Sequence, residues 1–400
     1  MLRRMADGRR AHLHQIDIVR LLTFAAVIVV HAVAFTEPPA SRGWAALLML
    51  AQFGREVFFA LTGFVLVYSA ARGPLDAAAF WRRRFPAVAV PYLAWSGIYT
   101  ALHVFGPLHA HLSPATVAWD FVTGNAEYHL YFLLVTLQLY LVFPVLLRFV
   151  RKTAGRAVRV LAVAAALDAA WLAWLQYGPA PGGWVGRFVW PRAYELLPTY
   201  AVYVLIGAYA AVHFERVQRV VAQRRRRLVG IAAVAAVLAE IAFWAQVGGR
   251  EPRVAAAVLQ PAMMLTSVAA LIGLYLAGDR WAGRGRRGAG FVARASDLSF
   301  GVYLAHPLVL ELLVHLGLGN DGQRLPAPLA TVLAMIGAAG GALAIAVVAR
   351  RSRWTLALTG RPRPAGPAPV RPAAGTGTGP AIADELQRRV TEPSQVGSRR

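Results

Sequence analysis

Long apolar blocks recur along the chain, and each is about as long as a helix that crosses a bilayer. A bilayer core about 30 Å thick needs roughly 20 helical residues. The blocks predict an all-α membrane protein of about ten transmembrane helices, with both termini on the same side. The predicted spans are Ile18–Phe35, Leu47–Ala71, Pro86–Phe105, His129–Phe149, Ala157–Tyr177, Tyr194–His213, Leu228–Val247, Ala255–Ala277, Leu298–Leu318 and Ala327–Ala349.

The composition favours the same interpretation. The 400 residues are 58% hydrophobic and have a mean hydropathy of +0.49, which is too apolar for a soluble globular chain. The chain has no cysteine, which excludes disulfides, thiolate ligands and a cysteine nucleophile. The histidines are dispersed, and the pair His12 and His14 lies in a solvated arm, so we expect no metal site.

The net charge of +23 would suggest nucleic acid as the partner of a soluble chain. In a membrane protein the excess of Lys and Arg on the cytoplasmic side explains it. If the N-terminus is cytoplasmic, most of the basic residues fall in inner segments, even without the C-terminal tail. We therefore expect both termini in the cytoplasm, a multi-pass protein of the plasma membrane, and no nucleic acid partner.

The chain divides into three predicted regions. Residues 1–17 form a basic cytoplasmic arm; no small-residue cleavage site follows His31, so the first helix is expected to be retained. Residues 18–349 form the ten-helix domain. Residues 350–400 are rich in Pro, Gly and Arg, and such a segment buries too little apolar surface to order. It is predicted to be a disordered cytoplasmic tail.

Two ionisable residues lie in the first predicted helix, Arg20 and His31. Eleven residues advance a helix by about 16 Å and three turns, so the two side chains share one face. Ionisable groups inside an apolar span are expensive and usually functional. Arg20 either extends to the inner headgroups or receives an anion that enters from the cytoplasm.

His31 is a candidate general base. A neutral imidazole can accept a proton from a hydroxyl, and a carboxylate such as Glu56, at a similar predicted depth, could orient the ring. The alternative is a histidine that only packs between helices. Further ionisable residues fall in the middle-to-outer part of their spans and suggest an outward-opening polar pocket; they are Arg55, Asp168, Glu240, His306 and Glu311.

Several neighbouring residues have two interpretations each. Arg55 and Glu56 are adjacent and point about 100° apart, so we expect them not to pair well. The run Arg82, Arg83 and Arg84 sets topology by default, but arginine also suits phosphates at the cytoplasmic entrance. His129 is either a residue of the interfacial aromatic belt, which we favour, or part of the outer pocket.

Five segments in this order resemble the acyltransferase-3 family of integral-membrane acyltransferases. Arg20 and His31 form R-x10-H in the first helix, and the other four segments lie in the second, third, fourth and ninth helices. These are GREVFFALTGF (Gly54–Phe64), FWRRRFPAVAVPY (Phe80–Tyr92), HLYFLLVTLQLYLVFP (His129–Pro144) and SFGVYLAHPLVL (Ser299–Leu310).

The resemblance implies transfer of an acyl group, often acetyl, from cytoplasmic acyl-CoA to a hydroxyl. The acceptor would be an exported glycan such as an envelope polysaccharide, a lipid-linked sugar or a small molecule. The family's functional Arg and His match Arg20 and His31, and its acidic residue matches Glu56. Its R-x-x-R pair is incomplete, because Arg84 is followed by Ala87 where the second arginine is expected. Arg82 or Arg83 would then replace it in binding the donor.

Other roles stay open at this point. Tyr303 and Arg55 are candidate oxyanion donors. Tyr303, His306 and Arg55 are expected to line the substrate pocket, and the second of its two interpretations places His129 there as well. A proton-coupled transporter could use the same polar groups, although no inverted repeat is visible in the sequence. A non-catalytic scaffold could use them to join helices by hydrogen bonds.

Overall fold

The computed structural model describes residues 13–70, 73–106, 110–320 and 325–363. Within these ranges the chain is helical and contains no strand. The α-helices are α1 (His14–Thr36), α2 (Arg42–Ala51), α3 (Gly54–Ala70), α4 (Ala77–Arg84), α5 (Pro86–Phe105), α6 (Pro114–Thr123), α7 (Tyr131–Lys152), α8 (Ala157–Tyr177), α9 (Ala201–Val212), α10 (Phe214–Val247), α11 (Pro252–Ala255), α12 (Pro261–Gly283), α13 (Ala289–Leu313), α14 (Ala327–Arg351) and α15 (Thr355–Thr359). All of them lie in the compact unit Met1–Pro362.

Within the described part of the chain, ten segments are long and apolar enough to cross a membrane, which confirms the predicted number. They are His14–Thr36, Arg42–Ala70, Ala77–Phe105, Tyr131–Lys152, Ala154–Tyr177, Val185–Val212, Phe214–Val247, Pro261–Gly283, Ala289–Leu318 and Ala327–Arg351. Each overlaps a span predicted from the sequence. The cytoplasmic orientation of the termini stays a prediction.

The second and third spans are each built from two helices. α2 ends at Ala51 and α3 begins at Gly54. In the third span, Asp76 caps α4 by accepting a hydrogen bond from the Ala79 N–H at 3.1 Å. Three arginines occupy the last turn of α4, where cations suit the negative end of the helix dipole. Pro86 then begins α5. Proline suits the first position of a helix because the N–H that it lacks would have no partner within the helix there.

α3 and α9 pack closely in the core, and two glycines permit the approach. A Cβ on Gly207 would overlap the Ala60 carbonyl oxygen, and one on Gly63 would overlap that of Val204. In a bilayer the hydrophobic effect does not drive helices together, so association depends on close packing. Small residues allow that packing because they let the helix backbones meet. The pair holds Glu56 and Phe59 of α3 inside the bundle, both almost fully buried.

The site depends on how α1, α13 and α14 pack together. α14 carries buried alanines at every fourth position, which form one smooth stripe (Ala330, Ala334, Ala338, Ala342 and Ala346). A Cβ on Gly301 of α13 would approach Ala346 to 3.1 Å, so these two helices also pack closely. By contrast, α8 and α10 are mostly exposed along their apolar faces, as expected for helices that contact lipid.

The packed chain continues beyond the boundary predicted at Arg350. α15 lies against α5, α13 and α14, and Trp95 donates its indole N–H to the Leu358 carbonyl at 3.2 Å. Gly360 ends α15 with φ +65°, and a Cβ there would clash with Phe300 and the Ala87 carbonyl. Glycine is therefore needed for both conformation and space. The rest of the predicted disordered tail, residues 364–400, lies outside the described residues.

Candidate active site

His31 and His306 form a hydrogen-bonded pair between α1 and α13. His31 Nδ1 lies 2.7 Å from His306 Nε2, and the two rings are nearly parallel, with centroids 5.0 Å apart. His306 is fully buried, whereas His31 is half-buried. The two residues are 275 positions apart in the sequence, so tertiary packing alone brings them together.

The hydrogen-bond network assigns the proton positions in this pair. His306 Nδ1 lies 2.6 Å from the Tyr303 carbonyl oxygen, which can only accept, so Nδ1 of the neutral ring carries the proton. His306 Nε2 must then accept a hydrogen bond from His31 Nδ1–H. In neutral His31 the remaining nitrogen, Nε2, has a free lone pair, and no other hydrogen bond to this ring is found among the described residues. His31 Nε2 is thus available to take a proton.

Pro307 explains why the Tyr303 carbonyl is free to accept. In an α-helix that carbonyl would bond to the backbone N–H of residue 307. Pro307 lies inside α13 and has no N–H, so the acceptor is left to the His306 side chain. The dipeptide His306–Pro307 therefore fixes the tautomer of His306, and through it that of His31.

Three aromatic or imidazole rings surround the pair. The Tyr128 ring meets His31 edge-on with centroids 4.8 Å apart. The ring of His129 lies 5.5 Å from that of His306 and 5.1 Å from that of Tyr303. The Tyr303 hydroxyl donates to the His129 carbonyl at 2.6 Å, so its proton is already engaged within the protein.

His129 is not an interfacial belt residue, so the preferred sequence interpretation is wrong. Its residue exposure is 3%, and its neighbours Tyr99, Tyr303 and His306 are buried too. Both ring nitrogens lack a hydrogen-bond partner within the described part of the chain. Burial, with the neighbouring imidazoles of His306 and His31, holds the pKa of His129 well below its usual value.

Arg55 and Glu56 form a buried ion pair, contrary to the expectation that they would not pair. Arg55 Nη2 donates to Glu56 Oε1 at 3.0 Å, because a long arginine side chain can bend across the angle between adjacent positions. Arg55 also donates to the Tyr131 hydroxyl at 3.3 Å. The hydrogen bond of His31 Nδ1 goes to His306, so Glu56 is not the group that orients the His31 ring.

At the other end of α1, Arg20 contacts the same partner helix. Its Nη1 donates to Ser296 Oγ at 3.2 Å, and Ser296 in turn donates to Asp17 Oδ1 at 3.1 Å. Arg20 and His31 both meet α13, which confirms that they share one face of α1. The next residue of α13, Asp297, pairs with Arg350 at 3.2 Å and with Arg361 at 3.5 Å.

The arginine run of α4 differs in exposure along its length. Arg82 and Arg83 are exposed, while Arg84 is half-buried. Arg83 donates from Nε to the Ala79 carbonyl at 3.3 Å. Ala87, the position where the second arginine of R-x-x-R is missing, lies against Gly360. Arg361 follows Gly360 directly in the sequence, and its Nε lies 3.5 Å from Asp297 Oδ1.

On the predicted outer side, His103, Glu127 and Glu311 converge from three distant parts of the chain. His103 Nε2 lies 3.3 Å from Glu127 Oε2 and 3.6 Å from Glu311 Oε1. Burial and the nearby Glu311 raise the pKa of Glu127 to about 8. Burial, with the charges of Glu127 and Glu311, also raises the pKa of Tyr128 well above its usual value.

Asp168, another residue of the predicted outward-opening polar pocket, does not join the histidine pair. Asp168 of α8 is buried, and its carboxylate has no hydrogen-bond partner among the described residues. Sequence reasoning missed His103, Glu127, Arg350 and Arg361. One local signal could have drawn attention to His306, namely the proline that follows it. A proline inside a helix leaves the carbonyl four residues earlier without its N–H partner, and the imidazole of the preceding histidine can donate to that carbonyl.

Comparison with known proteins identifies the family. A family model of the acyltransferase-3 type, described as an acyltransferase domain, matches residues 13–350. No curated protein and no solved structure matches the chain. The matched region includes nine of the spans described above, all but the last residue of the tenth, and the histidine pair with its surroundings. The chain belongs to the acyltransferase-3 family of membrane acyltransferases.

Proposed function

We propose that the protein transfers an acyl group, acetyl in the simplest case, from cytoplasmic acyl-CoA to a hydroxyl group. The acceptor is an exported glycan, a lipid-linked sugar or a small molecule at the cell envelope. The observation that carries the proposal is the free Nε2 of His31, held in its tautomer by His306. A general base must present a lone pair toward the hydroxyl that it deprotonates.

The proposed reaction needs one proton transfer in each direction. His31 Nε2 takes the proton of the acceptor hydroxyl as its oxygen attacks the thioester carbonyl carbon. The C–O bond forms, the C–S bond breaks, and the CoA sulfur leaves with the proton that His31 gives back. His306 accepts the Nδ1–H bond of the transient imidazolium. Because His306 is neutral, it stabilises that cation less than a carboxylate would.

Arginines at the predicted cytoplasmic side are the proposed donor site. Arg20, Arg82, Arg83 and Arg84 keep the roles expected from the sequence, and guanidinium groups suit the phosphates of CoA. Arg20 is held by Ser296 of α13, the helix that also carries His306. One helix would thus connect the donor arginine with the partner of the base, ten residues or about 15 Å apart along the axis.

The developing oxyanion needs a donor that is not already engaged. The Tyr303 hydroxyl donates to the His129 carbonyl, which leaves Arg55 as the better candidate. Glu56 and Tyr131 each occupy one terminal nitrogen of Arg55, and a guanidinium has five N–H donors. In this proposal Glu56 acts on catalysis only by positioning Arg55.

The test compares cells that express the wild-type protein with cells that express H31A, both fed with isotope-labelled acetate. Mass spectrometry of surface glycans, lipid-linked sugars and small metabolites is expected to find an acyl group present only with the wild type. Purified protein in liposomes with labelled acetyl-CoA then checks the donor. Uptake of label without covalent transfer would indicate a transporter. The proposed function is rejected if the wild type yields no acylated product beyond those of cells that lack the protein, whereas equal products from wild type and H31A would reject only the role of His31.

A further inference from the structure

The cluster of His103, Glu127 and Glu311 has the composition and spacing of a metal site. Each residue offers one ligand atom, and these atoms all lie within 4.8 Å of one another. Imidazole nitrogen and carboxylate oxygen are typical ligands of Zn²⁺, with bonds of about 2.0 Å. On a tetrahedral ion such ligand atoms stand about 3.3 Å apart. The His103–Glu127 distance is already 3.3 Å, and the His103–Glu311 distance is 3.6 Å.

The charges in the cluster also favour a cation. The Glu127 and Glu311 carboxyl groups each place an oxygen within 4.8 Å of the other, and the Glu127 side chain is only 5% exposed. Besides His103, the Glu127 carboxylate accepts from the Tyr128 backbone N–H at 3.3 Å. Among the residues that the structure describes, one imidazole and one amide are few partners for two carboxyl groups, and buried charge is costly unless it is paired or bound to a metal.

We propose that His103, Glu127 and Glu311 bind a divalent cation, with zinc as the ion that best fits one nitrogen and two oxygen ligands. Three protein ligands leave a position for water or another oxygen ligand, as in catalytic rather than structural zinc sites. The expectation of no metal site rested on histidines dispersed in the sequence. The fold provides a ligand set that is not visible in the sequence, because it brings a single histidine together with two carboxylates from distant segments.

The site borders the histidine pair. Glu127 directly precedes Tyr128, whose ring contacts His31. Glu311 follows His306 by five residues on the same helical segment, about 7.5 Å farther along the axis. A bound ion would join the outer ends of α5 and α13 to the segment before α7, and would hold Tyr128 against His31. Metal binding itself does not depend on the proposed acyl transfer.

The test is zinc titration of the purified full-length protein, stripped with a chelator and carrying an affinity tag without histidine. Calorimetry and metal analysis after dialysis are expected to show one zinc ion per chain. H103A and E311Q are each expected to weaken binding at least tenfold. The controls H111A and E251Q change exposed residues of the same types outside the cluster, and H12A/H14A removes the two histidines nearest the N-terminus. All three are expected to bind as the wild type does.

Thermal unfolding in detergent distinguishes a variant that has lost a zinc ligand from a variant that no longer folds. Zinc is expected to raise the unfolding temperature of the wild type and of the controls, and to leave that of folded E311Q unchanged. The proposal fails if the wild type binds no zinc at stoichiometric concentration, if H103A and E311Q bind as tightly as the wild type, or if H12A/H14A abolishes binding.

Discussion

His31 Nδ1 donates a hydrogen bond to His306 Nε2 at 2.7 Å, and this single bond decides which nitrogen of His31 is free to act as a base. The bond joins the first and ninth spans near one end, while Arg20 and Ser296 join the same two helices near the other. The two contacts fix the register of α1 against α13. A shift of one residue in either helix would separate both pairs.

Replacement of His306 tests the positioning of the base. In H306A the His31 ring loses the acceptor of its Nδ1–H, so it can take the wrong tautomer or turn away. We expect kcat for acyl transfer to fall about 10- to 100-fold with little change in KM for the donor, a smaller loss than removal of the base itself. Steady-state kinetics with labelled acetyl-CoA measure it. H315A, an exposed histidine near the end of the same span, is the matched control, and equal losses in both variants would contradict the positioning role.

Pro307 is expected to act on the reaction without touching the substrate. P307A restores a backbone N–H that competes for the Tyr303 carbonyl, so the hydrogen bond from His306 Nδ1–H to that carbonyl weakens. We expect kcat to fall while the unfolding temperature stays equal or rises, since a helix proline is replaced by alanine. Nitrogen-15 NMR of labelled histidines would show the change of tautomer. An unchanged tautomer distribution would refute this link.

The Arg55–Glu56 pair predicts a difference between single and double variants. E56L leaves the Arg55 guanidinium without its anionic partner, and breaking a buried pair typically costs about 3–5 kcal/mol. R55L/E56L removes both charges, so we expect it to unfold at a higher temperature than E56L. Thermal unfolding in detergent measures this. If the double variant is the less stable of the two, an unpaired Arg55 charge is not what destabilises E56L.

The C-terminal segment predicts a sharp boundary for truncation. A chain that ends after Arg363 keeps α15, the Trp95–Leu358 hydrogen bond and the Arg361–Asp297 pair, so we expect near-normal activity. A chain that ends after Ser352 loses these contacts, and we expect lower stability and a higher KM for acyl-CoA. Kinetics of the two truncated proteins in the same detergent measure the difference. Equal activity of both would show that α15 only covers the bundle.

The sequence predicted the ten spans because bilayer thickness imposes length and hydropathy on every membrane helix. It also placed Arg20 and His31 on one face, since helix geometry is local. It did not predict His306 as the partner of His31, because the pairing of distant helices depends on packing. The same applies to His103, Glu127 and Glu311. The error at Arg55 and Glu56 came from considering helix azimuth alone and neglecting the reach of an arginine side chain.

The most direct test of the central claim is the single-turnover rate of acyl transfer by H31A, with an acceptor identified from the strain comparison. General base catalysis contributes about 10²- to 10⁴-fold, so we expect the rate to fall within that range while acyl-CoA binding persists and added imidazole restores part of the rate. A rate within about twofold of the wild type would show that His31 is not the base.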